Sequence, residues 1–128
     1  MNLSIETAFV QKCIKKEYQD RLLFELHSKK HREKAISRFS HSAETILKKD
    51  FEKCTISDLQ KYFDTDKEAI SYYIISSDLN DGNTLDTKEV AEYCQTSFMA
   101  VIAISSKIVV VKEESEGKSP FVYIHKNI

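Results

Sequence analysis

The chain has 128 residues, of which 41% are apolar and 30% charged, and its formal net charge is −1. With six Tyr, seven Phe, two Gly and one Pro, the composition excludes a low-complexity or collagen-like chain and supplies aromatic bulk for one core. We therefore expect a single folded domain over residues 1–128.

Charge is distributed unevenly along the chain. Residues 1–50 carry eleven Lys or Arg against seven Asp or Glu, whereas residues 51–128 carry eight against thirteen. A domain that is nearly neutral overall can therefore present a basic face to a partner. The alternative interpretation is that the two oppositely charged halves attract each other.

Apolar residues at helical spacing predict two amphipathic helices in the first part of the chain. In the first helix, over residues 4 to about 27, the stripe consists of Val10, Ile14, Tyr18, Leu22 and Leu26. In the second helix, over residues 29 to about 48, it consists of Ala35, Ile36, Phe39, Ala43, Ile46 and Leu47. A short corner at residues 27–30 would fold the two helices into an antiparallel hairpin over residues 4–48.

Residues 56–126 are predicted to form the sheet. Two short helices are expected at 56–63 and 87–95, and the sequence NDGN at 80–83 indicates a turn. The strand candidates are rich in β-branched and aromatic residues and lie at 70–76, 100–105, 107–113 and 120–126. Unbroken Val and Ile in the middle two strands indicate burial on both faces or a central position. The order α-α-α-β-α-β-β-β predicts an α+β fold, in which the helical pair packs on one face of a four-stranded, mostly antiparallel sheet.

The pattern of cysteines and the absence of long apolar runs indicate a cytoplasmic location. Cys13, Cys54 and Cys94 are widely spaced, odd in number and without a CxxC motif, which is typical of reduced thiols. The first residues lack the apolar core of a signal peptide, and the apolar cluster at 98–104 is too short to span a bilayer. We expect a cytoplasmic protein that does not enter a membrane.

The candidate binding surface is a basic corner. The segment at 21–41 holds all three arginines and three of the four histidines, and its part at 29–41 is dense in positive charge, which attracts phosphates and acidic partners. The candidate binding residues are Lys30, Arg32, Lys34, Arg38 and His41. No helix-turn-helix spacing is recognisable, and the alternative is a solvated helix face with local ion pairs.

Arg32 differs from its basic neighbours in its position along the second helix. It lies four residues before Ile36, on the apolar side, and Glu25 lies at the end of the first helix. We therefore expect a Glu25–Arg32 ion pair across the corner that fixes how the helices meet, a structural role before a functional one.

Two patterns resemble metal sites, and both depart from the motif. His27 and His31 have the i, i+4 spacing of zinc ligands, but the HExxH form is absent and adjacent lysines repel a cation. The segment 78–89 resembles a calcium loop, but Gly82 stands where an oxygen ligand is needed and Asn83 where glycine is needed. Phosphate-binding glycine loops and a GxSxG elbow are also lacking. We expect neither a metal nor a cofactor.

The segment RLLFEL-SKK-REKAISRFSH resembles the front half of a small family of uncharacterised bacterial cytosolic proteins. The second half is similar to that family through a YIIS strand, a DG loop, a short helix and a terminal Tyr-bearing strand. The resemblance implies a free-standing bacterial domain and brings no activity with it.

The sequence therefore favours a non-catalytic protein that binds another macromolecule, with a protein partner preferred. Nucleic-acid or phosphate binding through the basic corner at 29–41 is one alternative. A small enzyme whose site follows no recognised motif is the other.

Overall fold

The computed structural model describes residues 2–63, 70–75, 79–96, 99–105, 108–113 and 121–126. The α-helices in these ranges are α1 Leu3–Cys13, α2 Lys16–Leu26, α3 Arg32–His41, α4 Ala43–Ile46, α5 Ile56–Phe63 and α6 Val90–Thr96, which follows a 3-10 turn at Thr87–Glu89. The strands are β1 Glu52–Thr55, β2 Ile70–Ile75, β3 Thr84–Asp86, β4 Val101–Ile104, β5 Ile108–Lys112 and β6 Phe121–Lys126. None of the helices within these ranges has both the length and the apolar character to cross a bilayer.

The strands form one sheet in the order β1-β6-β5-β4-β2-β3, and every neighbouring pair is antiparallel. The α+β class is confirmed, but the expected four strands are six in the described residues. β1 and β3 have only four and three residues, so neither is long enough to show an alternating pattern in the sequence. Both lie at the edges of the sheet, where short strands are common.

The sheet is buried on both faces, which makes three layers. Because side chains alternate along a strand, β2, β4, β5 and β6 each contribute to two cores. The core under α1, α2 and α3 includes Tyr72, Ile74, Ile102, Val109 and Val111. The core under α5 and α6 includes Tyr73, Ile75, Val101, Val110 and Ile124. The expected two-faced burial of the Val and Ile runs is therefore confirmed. The helices of the N-terminal part lie on one face, as expected, and α5 and α6 cover the other face.

The first predicted helix is interrupted. α1 ends at Cys13, and Ile14 is extended and forms an antiparallel bridge with Leu47. The amide of Lys15 donates to the carbonyl of Ile46, and the amide of Lys48 donates to that of Cys13, both at 2.9 Å. These bonds join segments more than thirty residues apart, so the periodicity of residues 4–27 carries no sign of them.

The second predicted helix is also divided, because α3 ends before Ser42 and α4 begins after it. The helix expected at 56–63 and the strands expected at 100–105 and 107–113 agree with α5, β4 and β5 within one residue over the described positions. In the turn at 80–83, Gly82 has a φ of 81°, and the amide of Asn83 donates to the carbonyl of Asn80. Pro120, at the start of the last predicted strand, lies outside the described residues.

The second core provides a direct test of the three-layer arrangement. Leu59 of α5 is fully buried between the helix and the sheet, whereas Leu79 is 96% exposed. We expect Leu59→Ala to lower the free energy of unfolding by about 2–5 kcal/mol, because it removes buried methyl groups and leaves a cavity. Leu79→Ala is the matched control and should change that free energy by less than about 0.5 kcal/mol. Urea denaturation measures both, and equal effects would contradict the packing of α5.

Candidate interaction site

The structure divides the five candidate binding residues into two groups. Lys30, Lys34 and His41 are exposed, and the side chain of Arg38 is 45% exposed. Lys34, Arg38 and His41 are spaced by four and three residues along α3, so they share one outward face. Arg32 lies on the opposite side of α3 and is buried, which removes it from any surface for a ligand.

Arg32 is the centre of a buried ion network. Its guanidinium forms a bidentate pair with Glu6 of α1, with nitrogen–oxygen distances of 2.7 and 2.8 Å. A second bidentate pair joins it to Asp81 of the β2–β3 turn, also at 2.7 and 2.8 Å. The carbonyl of Leu26 accepts the remaining hydrogen bond at 2.8 Å. All five N–H donors of the guanidinium are therefore used.

The network extends into the sheet. The hydroxyl of Tyr72 donates to Glu6 at 2.5 Å and accepts from the amide of Asn2, while Asp81 accepts from the amide of Ile75. Burial and the bond to Glu6 raise the pKa of Tyr72 to about 12. Burial disfavours the charge on Arg32, but its hydrogen bonds to Asp81 and Glu6 outweigh that cost and hold its pKa above the ordinary value. The guanidinium is thus permanently charged.

The predicted Glu25–Arg32 ion pair is wrong, because each residue binds other partners. Arg32 pairs with Glu6 and Asp81, and Glu25 pairs with Arg21 and Arg38. Arg32 points into the core, where a fully buried carboxylate is available from α1. One signal in the sequence was present, since Glu6 precedes the buried Phe9 and Val10 by one helical turn and so lies on the apolar face of α1. Asp81 carried no such signal.

The network predicts a large cost for removing the guanidinium. We expect Arg32→Met to lower the free energy of unfolding by about 3–5 kcal/mol, because it leaves the fully buried Glu6 and the partly buried Asp81 without a counter-charge. Arg21→Met is the matched control, since that side chain is 73% exposed and its pair contributes less than about 1 kcal/mol. Chemical denaturation compares the two, and similar losses would contradict the structural role of Arg32.

A groove of about 480 Å³ lies between α2 and the pair α3–α4. Its apolar lining residues are Tyr18, Leu22, Ala35, Phe39 and Ile46. Its polar lining residues are Glu17, Arg21, Arg38, Ser42 and Thr45. A concave apolar surface edged by a few polar groups is the usual form of a binding site. Of the predicted binding residues, Arg38 alone lines this groove.

Glu25 holds the two arginines of the groove together. Its Oε1 atom accepts from Nε of Arg21 at 3.1 Å and from Nη2 of Arg38, and its side chain is 12% exposed. Partial burial acts to raise the pKa of Glu25, but the hydrogen bonds and charges of Arg38 and Arg21 outweigh it and lower that pKa below the usual 4.5. The carboxylate is therefore ionised at neutral pH.

The two metal patterns find no support in the described residues, within which no three His, Cys, Asp or Glu side chains cluster as metal ligands would. The ring of His31 lies against that of Phe24 instead, with centroids 6.3 Å apart. In the 78–89 segment, Asp81 is paired with Arg32, and Asp78 lies outside the described part.

The groove between α2 and α3–α4, with its apolar residues and its two arginines, suits recognition of an apolar group beside an anion.

Comparisons with protein families, with curated proteins and with solved structures found no match to this chain.

The ion pairs of Glu25 predict a pH-dependent contribution to stability. Because the folded state lowers the pKa of Glu25, its contribution is present above about pH 4.5 and is lost as the pH falls through the lowered value. Near neutral pH, Glu25→Gln should lower the free energy of unfolding by about 0.2–1 kcal/mol. The difference from the wild type should vanish at acidic pH, as measured by urea denaturation across the range. A difference that stays constant would contradict the pairing.

Proposed function

We propose that the protein is a non-catalytic, cytoplasmic bacterial binding protein that recognises another protein through the groove between α2 and α3–α4. The observation that carries this proposal is the juxtaposition of an apolar floor with two arginines at its edge. Interfaces gain most of their affinity from a few anchor residues that enter such pockets, and arginine is enriched among these residues.

The state of the thiols favours a role without covalent chemistry. Cys13 and Cys94 are buried, and burial raises the pKa of each thiol to about 12. A thiol with so high a pKa is not the thiolate that nucleophilic catalysis needs. None of the three cysteines, all of which lie in the described residues, forms a disulfide, which fits the reducing environment of a cytoplasm.

Nucleic-acid binding is the second candidate, and one observation favours it. Lys34, Arg38 and His41 lie along one face of α3, and the exposed aromatic ring of Phe24 lies against His31, just before this helix begins. Two observations weigh against it. Arg32 is buried and paired with Glu6 in the core, and the charge of Arg38 is partly neutralised by Glu25. The positive charge that remains is small for a surface that must follow a phosphate backbone.

The test uses one variant that fills the groove and one that does not. Thr45 lines the groove and is exposed, whereas the neighbouring Glu44 is exposed but does not line it. Thr45→Tyr should block a partner, and Glu44→Tyr should not. Affinity purification with quantitative mass spectrometry measures which proteins each variant recovers. We expect the wild type and Glu44→Tyr to recover the same partner proteins, and the amounts of these partners to be lower by about tenfold or more with Thr45→Tyr.

The outcomes separate the two candidates. Equal recovery with all three proteins would contradict binding in the groove. Retention of the wild type on heparin, with a steep loss as salt increases, would support nucleic-acid binding in its place. Thermal unfolding of both Tyr variants checks that each is folded.

A further inference from the structure

We infer that the groove recognises a protein segment in which an apolar side chain is followed closely by Asp or Glu, and that Glu25 is an internal competitor for the same arginines. This inference rests on the proposed function and names the chemistry of the partner. It follows from how the hydrogen bonds at the groove are distributed.

The two arginines are only partly used. Within the described residues, Arg21 and Arg38 each donate one side-chain hydrogen bond, and both bonds end on the same Oε1 atom of Glu25. A guanidinium has five donors in a planar fork that matches a carboxylate in bidentate geometry. Two arginines that share one oxygen therefore keep most of their donors for a second carboxylate.

The formal charge of this cluster also calls for an anion. Arg21 and Arg38, with Lys34 on the same outward face of α3 as Arg38, carry +3 against −2 from Glu17 and Glu25, which leaves a formal charge of +1. Glu17 is the acidic residue among the groove-lining residues and lies one helical turn before Arg21. An acidic segment is thus favoured over a basic one, since like charges across an interface oppose binding.

The positions of the two arginines beside apolar groove residues determine how far the acidic residue of the partner segment lies from its apolar anchor. Arg21 precedes Leu22, and Arg38 precedes Phe39, so each arginine borders an apolar residue of the floor. A partner side chain seated on that floor would have its acidic neighbour within one helical turn of the arginines. The segment is therefore amphipathic, with Leu, Ile, Met or Phe as the anchor and Asp or Glu beside it.

Short random peptides displayed on phage are the probe. They would be selected on the wild-type protein and counter-selected on Thr45→Tyr. We expect the enriched peptides to pair an apolar anchor with Asp or Glu within four residues. A chosen peptide should lose about tenfold in affinity when its acid is replaced by the matching amide, and about as much on Arg38→Gln.

Glu25→Gln distinguishes competition from support. If Glu25 competes for the arginines, this variant should bind the acidic peptide several-fold more tightly, by about threefold to tenfold, and the amide peptide without change. Asp20→Asn is the matched control, because it also removes one carboxylate charge, from an exposed residue outside the groove, and its effect should be below about twofold. Weaker binding by Glu25→Gln would overturn the competitor role.

The failures are separable. Groove-dependent enrichment of peptides without acidic residues overturns this inference and leaves the proposed function standing. Selection that yields no difference between the wild type and Thr45→Tyr overturns both. Circular dichroism of every variant ensures that a loss of binding is not a loss of fold.

Discussion

The architecture depends on one buried guanidinium. Arg32 of α3 binds Glu6 of α1 and Asp81 of the β2–β3 turn, and Glu6 is bound in turn by Tyr72 of β2. A buried charge is tolerated only when its hydrogen-bonding groups are satisfied, so these elements have to meet in one arrangement. Two carboxylates and one guanidinium leave a formal charge of −1, which the hydroxyl of Tyr72 helps to stabilise by donating to Glu6.

The sheet provides the frame on which this network is held. β4 and β5 lie inside the sheet and are buried on both faces, so they define both cores at once. α1, α2 and α3 cover one face, and α5 and α6 cover the other. Arg32 at the start of α3 binds both the carbonyl of Leu26, at the end of α2, and Glu6 of α1, so it joins these three helices where α2 and α3 meet.

The two arginine clusters of the helical layer use the same chemistry in opposite surroundings. Around Arg32 the carboxylates saturate every donor and exclude a ligand. Around Arg21 and Arg38 a single carboxylate oxygen serves two guanidinia near the surface, which leaves donors for another anion. The difference between the structural role of Arg32 and the recognition role proposed for Arg21 and Arg38 therefore lies in burial and in the ratio of carboxylates to guanidinia, and not in the residue type.

The sequence by itself determined the α+β class, α5, the central strands and the general location of positive charge, because these depend on local periodicity and composition. Tertiary structure alone decided three features. Ile14 is extended and forms a bridge with Leu47, although the helical periodicity includes it. The short edge strands β1 and β3 are stabilised by hydrogen bonds to their longer neighbours β6 and β2. Arg32, a candidate binding residue in the sequence, is a core residue in the structure. Folding brings Glu6 and Asp81 to it, although they lie 26 and 49 residues away along the chain. Contacts between distant residues leave no local period in a sequence, so the partner of a charge can be read only once the chain has folded.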